Sequence, residues 1–257
     1  MARSSLSRPV WLTHWLRGIR FYIGVAIVVL SLESWWWAAT GYSGTSLFAI
    51  RLAEVYAWLS LSFLCTALLI GPVCAVFKRF PGRKLLFDAR RLLGIGAAWF
   101  ASLHITVVYD ALFKFANPLH IPGDYQPAFL VGVIAWIILL AMAFTSFDKA
   151  FTRMGKWWFR LHRFVYAAIS LTLLHAFMIG AQASRPAVLL LLGTVVAIGF
   201  GLQCLAIIRQ GHPASNWQMV TVATMTAVFV IVFSYGYTQR DKYQVSSSKG
   251  SSYAAIR

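Results

Sequence analysis

The sequence predicts an all-α polytopic membrane helix bundle. Of its 257 residues, 60% are hydrophobic and only 12% are charged, and the mean hydropathy is +0.70. A soluble domain of this length could not bury so much apolar surface, and the apolar residues gather in runs that are long enough to cross a bilayer. Since these runs lack the period-2 alternation of barrel strands, helices are the form that satisfies their backbone groups in lipid.

Seven apolar runs follow one another, each near the roughly 20 residues that a transmembrane helix requires. They cover 21–40, 52–77, 92–115, 125–147, 164–184, 186–208 and 217–237. We therefore predict a six-helix core, a seventh transmembrane helix at 217–237, and a bundle that occupies 21–237 in total. Pro72 predicts a kink in the second helix or its end. A basic segment, 1–20, precedes the bundle, and a polar tail, 238–257, follows it.

Basic residues lie mostly on one side of the predicted bundle. Four arginines precede the first run, six Lys and Arg join the second run to the third, and five join the fourth to the fifth. The positive-inside rule therefore places the N-terminus in the cytoplasm and the C-terminus outside. This distribution explains the net charge of +16, so we expect a lipid bilayer and no nucleic acid as partner.

Two histidines lie deep inside uncharged apolar runs. His104 is 13 residues beyond Arg91 and His175 is 12 residues beyond Arg163, so each lies about 18–20 Å from the inner boundary along a helix. The third and fifth runs point the same way, which predicts similar depths for the two imidazoles. Ionisable groups inside a membrane mark functional sites, and imidazole is the usual axial ligand of haem iron. We predict that His104 and His175 bind one haem; the alternative is that each is a hydrogen-bonded packing residue.

Three further residues lie at the inner boundary. His162 either ligates a second haem or is an interfacial residue that meets lipid headgroups. Thirteen residues separate it from His175, so an ideal helix would not place both on one face. Arg91 and Arg163 either bind haem propionates or a flavin phosphate, or act only as orientation signals.

Two stretches of the chain resemble the ferric reductase-like transmembrane family. One runs from Arg90 and Arg91 to His104, and the other runs from Trp157 to His175. Their order and spacing are most similar to MsrQ-like haem-binding membrane subunits, over about residues 50–180 within a core of about 50–208. The resemblance implies b-type haem and a bacterial inner-membrane location. It also implies haem-associated roles for three of the six histidines, which are His104, His162 and His175.

The resemblance also implies electron transfer across the membrane, as the electron-transfer subunit of an oxidoreductase. Because the sequence has no GxGxxG fingerprint, we expect electrons from a separate partner: a flavoprotein, a free flavin or a quinol. They would leave to an outer-side acceptor or subunit, and no residue of this chain is predicted to be catalytic. The alternative is a non-catalytic structural subunit of a larger membrane complex that binds haem or another pigment.

Overall fold

The computed structural model describes residues 10–112, 125–179 and 186–209, and six further positions from 219 to 234. All regular structure within these residues is helical, which confirms the predicted class. A π-helical turn, Val108–Leu112, continues the third helix. The α-helices are α1 (Val10–Tyr42), α2 (Leu47–Val76), α3 (Arg83–Val107), α4 (Gln126–Phe144), α5 (Asp148–Met154), α6 (Lys156–His162), α7 (Val165–Ile179) and α8 (Pro186–Ile208).

Six helical segments of the described chain are long and apolar enough to cross a membrane, and they correspond to the first six predicted runs. They are Gly18–Tyr42, Leu47–Val76, Arg83–Asp110, Gln126–Phe144, Lys156–Ile179 and Leu191–Ile208. The predicted seventh helix, 217–237, falls outside the described residues apart from isolated positions, and the tail 238–257 falls wholly outside them.

Several helices extend beyond their apolar runs. α1 begins at Val10 and α3 at Arg83, whereas hydropathy starts the corresponding spans at 21 and 92. Both extensions carry charged residues, and an ion pair of 3.2 Å joins Arg20 of α1 to Asp88 of α3. Similarly, the basic connection after α4 contains the short helices α5 and α6. They are separated by Gly155, whose φ of +51° is a conformation that favours glycine.

The chain divides into two compact units, Met1–Phe115 and Ala116–Arg257. In the first unit α2 packs along α3, and α1 packs against both helices. In the second unit α4 packs against α7. Each of the two deep histidines therefore lies on a helix that packs against another helix of its own unit.

The core of the first unit is aromatic and closely packed. Phe100 is completely buried, and its ring lies 5.3 Å from Phe63 and 6.2 Å from Tyr56, measured between ring centroids. Buried Ser60 donates a hydrogen bond of 2.9 Å to the Ala97 carbonyl. Many other large apolar side chains are exposed, as expected for a surface that lipid covers. Because lipid is as apolar as these side chains, the helices are held together by close packing and by hydrogen bonds between them.

Pro72 lies inside α2, which continues past it to Val76. Because proline has no N–H, it removes one helical hydrogen bond at this point. Arg90 of α3 contacts the same part of α2: its Nε donates to the Ala67 carbonyl at 3.1 Å, and its guanidinium lies close to Gly71. Arg90 therefore ties the proline-containing end of α2 to α3.

We expect Arg90→Met to lower the free energy of unfolding by about 1–2 kcal/mol, because a charged donor to a backbone carbonyl is lost from a half-buried position. Chemical unfolding of the purified protein in detergent, followed by circular dichroism, measures this change. Arg79→Met is the matched control, since Arg79 is exposed and should change stability by less than about 0.5 kcal/mol. Equal effects of the two substitutions would contradict the assignment.

Candidate functional site

His104 is held by a neighbouring helix. It is half-buried on α3, and its Nδ1 lies 2.9 Å from the carbonyl oxygen of Ala53 in α2. A carbonyl only accepts, so Nδ1 carries the hydrogen and the lone pair of the neutral ring is on Nε2. α3 changes to a π-helical turn just beyond this histidine, at Val108, and such turns occur frequently at functional sites.

His175 has the same arrangement in the second unit. It is half-buried on α7, and its Nδ1 donates to the Ala128 carbonyl of α4 at 2.8 Å. Nε2 is therefore again the nitrogen with the lone pair. The imidazole lies directly against Gly132, one helical turn after Ala128. Each deep histidine thus hydrogen-bonds to a backbone carbonyl of the helix beside it.

This hydrogen bonding fits the requirements of a haem-iron ligand. Histidines that bind metals almost always donate their other ring N–H to a carbonyl, a carboxylate or water, which fixes the tautomer and the ring orientation. His104 and His175 both meet this condition through Nδ1, and Nε2 carries the lone pair that binding to iron requires. The tautomer of both imidazoles, with the hydrogen on Nδ1 and the lone pair on Nε2, therefore suits an axial position on iron.

His162 is held differently, by its own helix. It is the last residue of α6, and its Nδ1 donates to the Trp158 carbonyl at 3.1 Å. Its ring stacks on the Trp158 indole, with 3.8 Å between centroids and 22° between planes. The helix is interrupted between His162 and Val165, so the ideal-helix rotation that separates His162 from His175 does not apply across this point.

Trp158 fixes the position of the His162 ring through this stacking contact. The indole Nε1–H donates to the Thr145 carbonyl at 2.8 Å, just beyond α4, and Phe151 contacts the indole edge-on. Trp158→Phe keeps an aromatic ring and removes the donor, so we expect it to cost about 0.5–1.5 kcal/mol of unfolding free energy. Unfolding in detergent followed by circular dichroism measures this loss.

The adjacent residue is the matched control for this prediction. Trp157 is 66% exposed and lies beneath the Arg160 guanidinium, a contact that a phenylalanine ring can largely keep. We expect Trp157→Phe to leave unfolding almost unchanged. A loss of stability in Trp157→Phe that matched Trp158→Phe would show that the hydrogen bond to Thr145 is not the source of the effect.

The two arginines predicted to bind a cofactor lie in the N-terminal parts of their segments, Arg83–Asp110 and Lys156–Ile179. Arg91 is half-buried on α3, and the 13 residues to His104 correspond to about 20 Å along this helix. Arg163 is exposed and immediately follows His162. The structure thus separates Arg91 from His104 and places Arg163 beside His162, while cofactor binding by both arginines stays a prediction.

Sequence reasoning missed the residues that orient the histidines. Ala53 and Ala128 accept the hydrogen bonds of the histidines through backbone oxygens, and no pattern of side chains in the sequence predicts such an acceptor. A weak signal exists four residues later, where small residues follow in both helices: Ala57 in α2 and Gly132 in α4. The stacking of Trp158 on His162 is likewise a contact that no pattern in the sequence predicts.

Residues 55–173 match the family model of the ferric reductase like transmembrane component. The match begins in α2 and ends in α7, so it contains His104 and His162 and stops two residues before His175. No solved structure matches the chain. Together with the six helices of spanning length, the match identifies an integral membrane protein and suggests a membrane electron-transfer function. Residues 55–173, a little under half of the chain, are thus similar to the ferric reductase-like transmembrane family.

Proposed function

We propose that this chain is a b-type haem protein that carries electrons across the bacterial inner membrane. His104 and His175 are the proposed axial ligands, and the N-terminus lies in the cytoplasm. The observation that carries the proposal is the shared tautomer: in both histidines Nδ1–H donates to a carbonyl of the neighbouring helix. The family match over 55–173 supports it independently.

The residues of this chain orient the two imidazoles and limit the access of water to them. When bound, haem iron supplies one-electron redox chemistry, so the donor is oxidised and the acceptor reduced one electron at a time. The carbonyls of Ala53 and Ala128 fix the tautomer and the orientation of the two imidazoles. Their half-buried positions within apolar helices limit the access of water.

The cytoplasmic side of the proposed bundle, near His162, is the proposed entry point for electrons. Arg163 adjoins His162, and the cations of α5 and α6 lie on the same stretch, so an anionic flavin or the propionates of a second haem match its charge. Arg91, at the start of the apolar part of α3 in the first unit, is proposed separately as a cofactor-binding cation. A flavoprotein, a free flavin or a quinol is the proposed donor, and an outer-side subunit or small oxidant the acceptor.

The first test is a haem assay on the purified full-length protein. Pyridine haemochrome analysis should find at least one haem b per chain, and two if His162 is also a ligand. A reduced-minus-oxidised spectrum should show b-type bands. If protein expressed with ample haem supply contains none, the proposal is wrong.

A second measurement separates electron transfer from simple pigment binding. The protein is reconstituted into vesicles that enclose ferricyanide, a membrane-impermeant oxidant, and a reduced flavin is added to the cytoplasmic face. We expect ferricyanide reduction inside the vesicles, in proportion to the haem content. A haem-loaded protein that transfers no electrons to ferricyanide would instead be the structural subunit that the sequence leaves as the alternative.

A further inference from the structure

We propose that Gly132 is a positioning residue for haem binding, because only a residue without a Cβ lets the His175 ring reach the Ala128 carbonyl. This inference rests on the proposed function, since it assigns the imidazole a haem to bind. Gly132 itself contacts no proposed cofactor atom and acts through the histidine.

The first step of the argument concerns access to a helical carbonyl. In an α-helix the C=O of one residue points along the axis toward the N–H of the residue four positions later. The carbonyl of Ala128 therefore points toward Gly132, and the side chain at position 132 borders the approach to this oxygen. His175 comes from α7 and donates to the same oxygen at 2.8 Å, so its path crosses the space beside Gly132.

The second step is steric. A Cβ at position 132 would lie 2.6 Å from Nδ1 of His175, 2.8 Å from Cε1 and 3.3 Å from Cγ. The first two distances are far inside van der Waals contact. Cγ is the ring atom nearest the α7 backbone, so relief requires the whole imidazole to turn or α7 to move. Either movement lengthens the hydrogen bond to Ala128 and reorients Nε2.

The third step is the contrast with other helical glycines. A Cβ at Gly94, Gly24 or Gly201 would meet nothing within 4 Å. A Cβ at Gly96 would crowd the Phe63 ring and the end of Ile27, which are packing residues of the first unit. In contrast to these four glycines, the missing side chain of Gly132 makes room for a histidine ring.

The first test compares Gly132→Ala with wild type in the full-length chain. We expect haem affinity to fall about 10- to 100-fold, the usual result of disturbing a residue that orients a metal ligand. The haem that remains should have shifted absorption and electron paramagnetic resonance spectra, because the axial imidazole is misaligned. Gly201→Ala, at an exposed helical position with open space, is the matched control and should bind haem as wild type does.

The second test uses thermal unfolding of the haem-free proteins and does not depend on the cofactor. Gly132→Ala should lower the Tm when His175 is present. In a His175→Ala background the ring is gone, so the same substitution should leave the Tm unchanged or raise it, since alanine favours a helix over glycine. If Gly132→Ala does not accumulate in cells, the double variant with His175→Ala should restore accumulation.

The outcomes distinguish this inference from the proposed function. Wild-type protein without haem would overturn the proposed function, and the positioning role with it, even if the two sites remain coupled in unfolding. Haem-loaded wild type together with unchanged affinity and spectra in Gly132→Ala would overturn the positioning role alone. So would an equal loss of Tm with and without His175, or a double variant that fails to restore accumulation.

Discussion

Replacing His104 with asparagine is expected to remove haem from the purified protein while the helices remain folded. The asparagine amide can still donate to the Ala53 carbonyl, as Nδ1 of His104 does, but it has no nitrogen lone pair for iron. Loss of an axial ligand should exceed the about 10- to 100-fold loss of affinity that follows when an outer-shell partner is removed. The haem-to-protein ratio should therefore fall to near zero, and electron transfer with it.

Two further variants test whether His104 acts as an iron ligand. His104→Met supplies a thioether that can ligate iron, so it should keep some haem with a more positive reduction potential. Thr106→Ala, at an exposed position two residues along α3, should bind haem as wild type does. A His104→Asn protein with full haem content and an unchanged spectrum would show that His104 only packs against α2.

The largest change in stability is expected from Phe100→Ala in the core of the first unit. Phe100 is fully buried among side chains of α1 and α2, and it contacts the rings of Tyr56 and Phe63. Phe→Ala substitutions in soluble cores cost about 3–5 kcal/mol. In lipid much of the transfer contribution is absent, because acyl chains are as apolar as the core, so we expect about 3 kcal/mol from lost packing.

Chemical unfolding in detergent measures this loss against a lipid-facing phenylalanine. Phe144, at the end of α4, is 69% exposed, and Phe144→Ala should cost less than about 0.5 kcal/mol. If both substitutions cost the same, packing between α1, α2 and α3 does not determine the stability of this unit.

Hydropathy predicts the membrane segments well because lipid imposes one requirement, a long apolar helix, on every span. The sixth run, 186–208, coincides with α8, and α4 lies within the fourth run. Hydropathy does not report where a helix leaves the membrane. It therefore starts the third span at 92, although the backbone is helical from Arg83 and Asp88 pairs with Arg20.

The histidines could be found from sequence because an ionisable residue stands out in an apolar run. The atoms that orient them could not be found in this way. Ala53 and Ala128 act through main-chain oxygens, so the relevant information is which helix lies beside which, and at what register. Contacts of this kind arise from helix packing, and neither composition nor periodicity records them.

The use of a main-chain acceptor for His175 shifts the evolutionary constraint along α4. Every amino acid has a carbonyl, so position 128 can change identity, within the available space, and still accept the imidazole proton. Position 132 has no such freedom, because any branch on its α-carbon collides with the ring. Substitutions in α4 should therefore be tolerated at position 128, which accepts the hydrogen bond, and selected against at position 132, which forms no bond with His175.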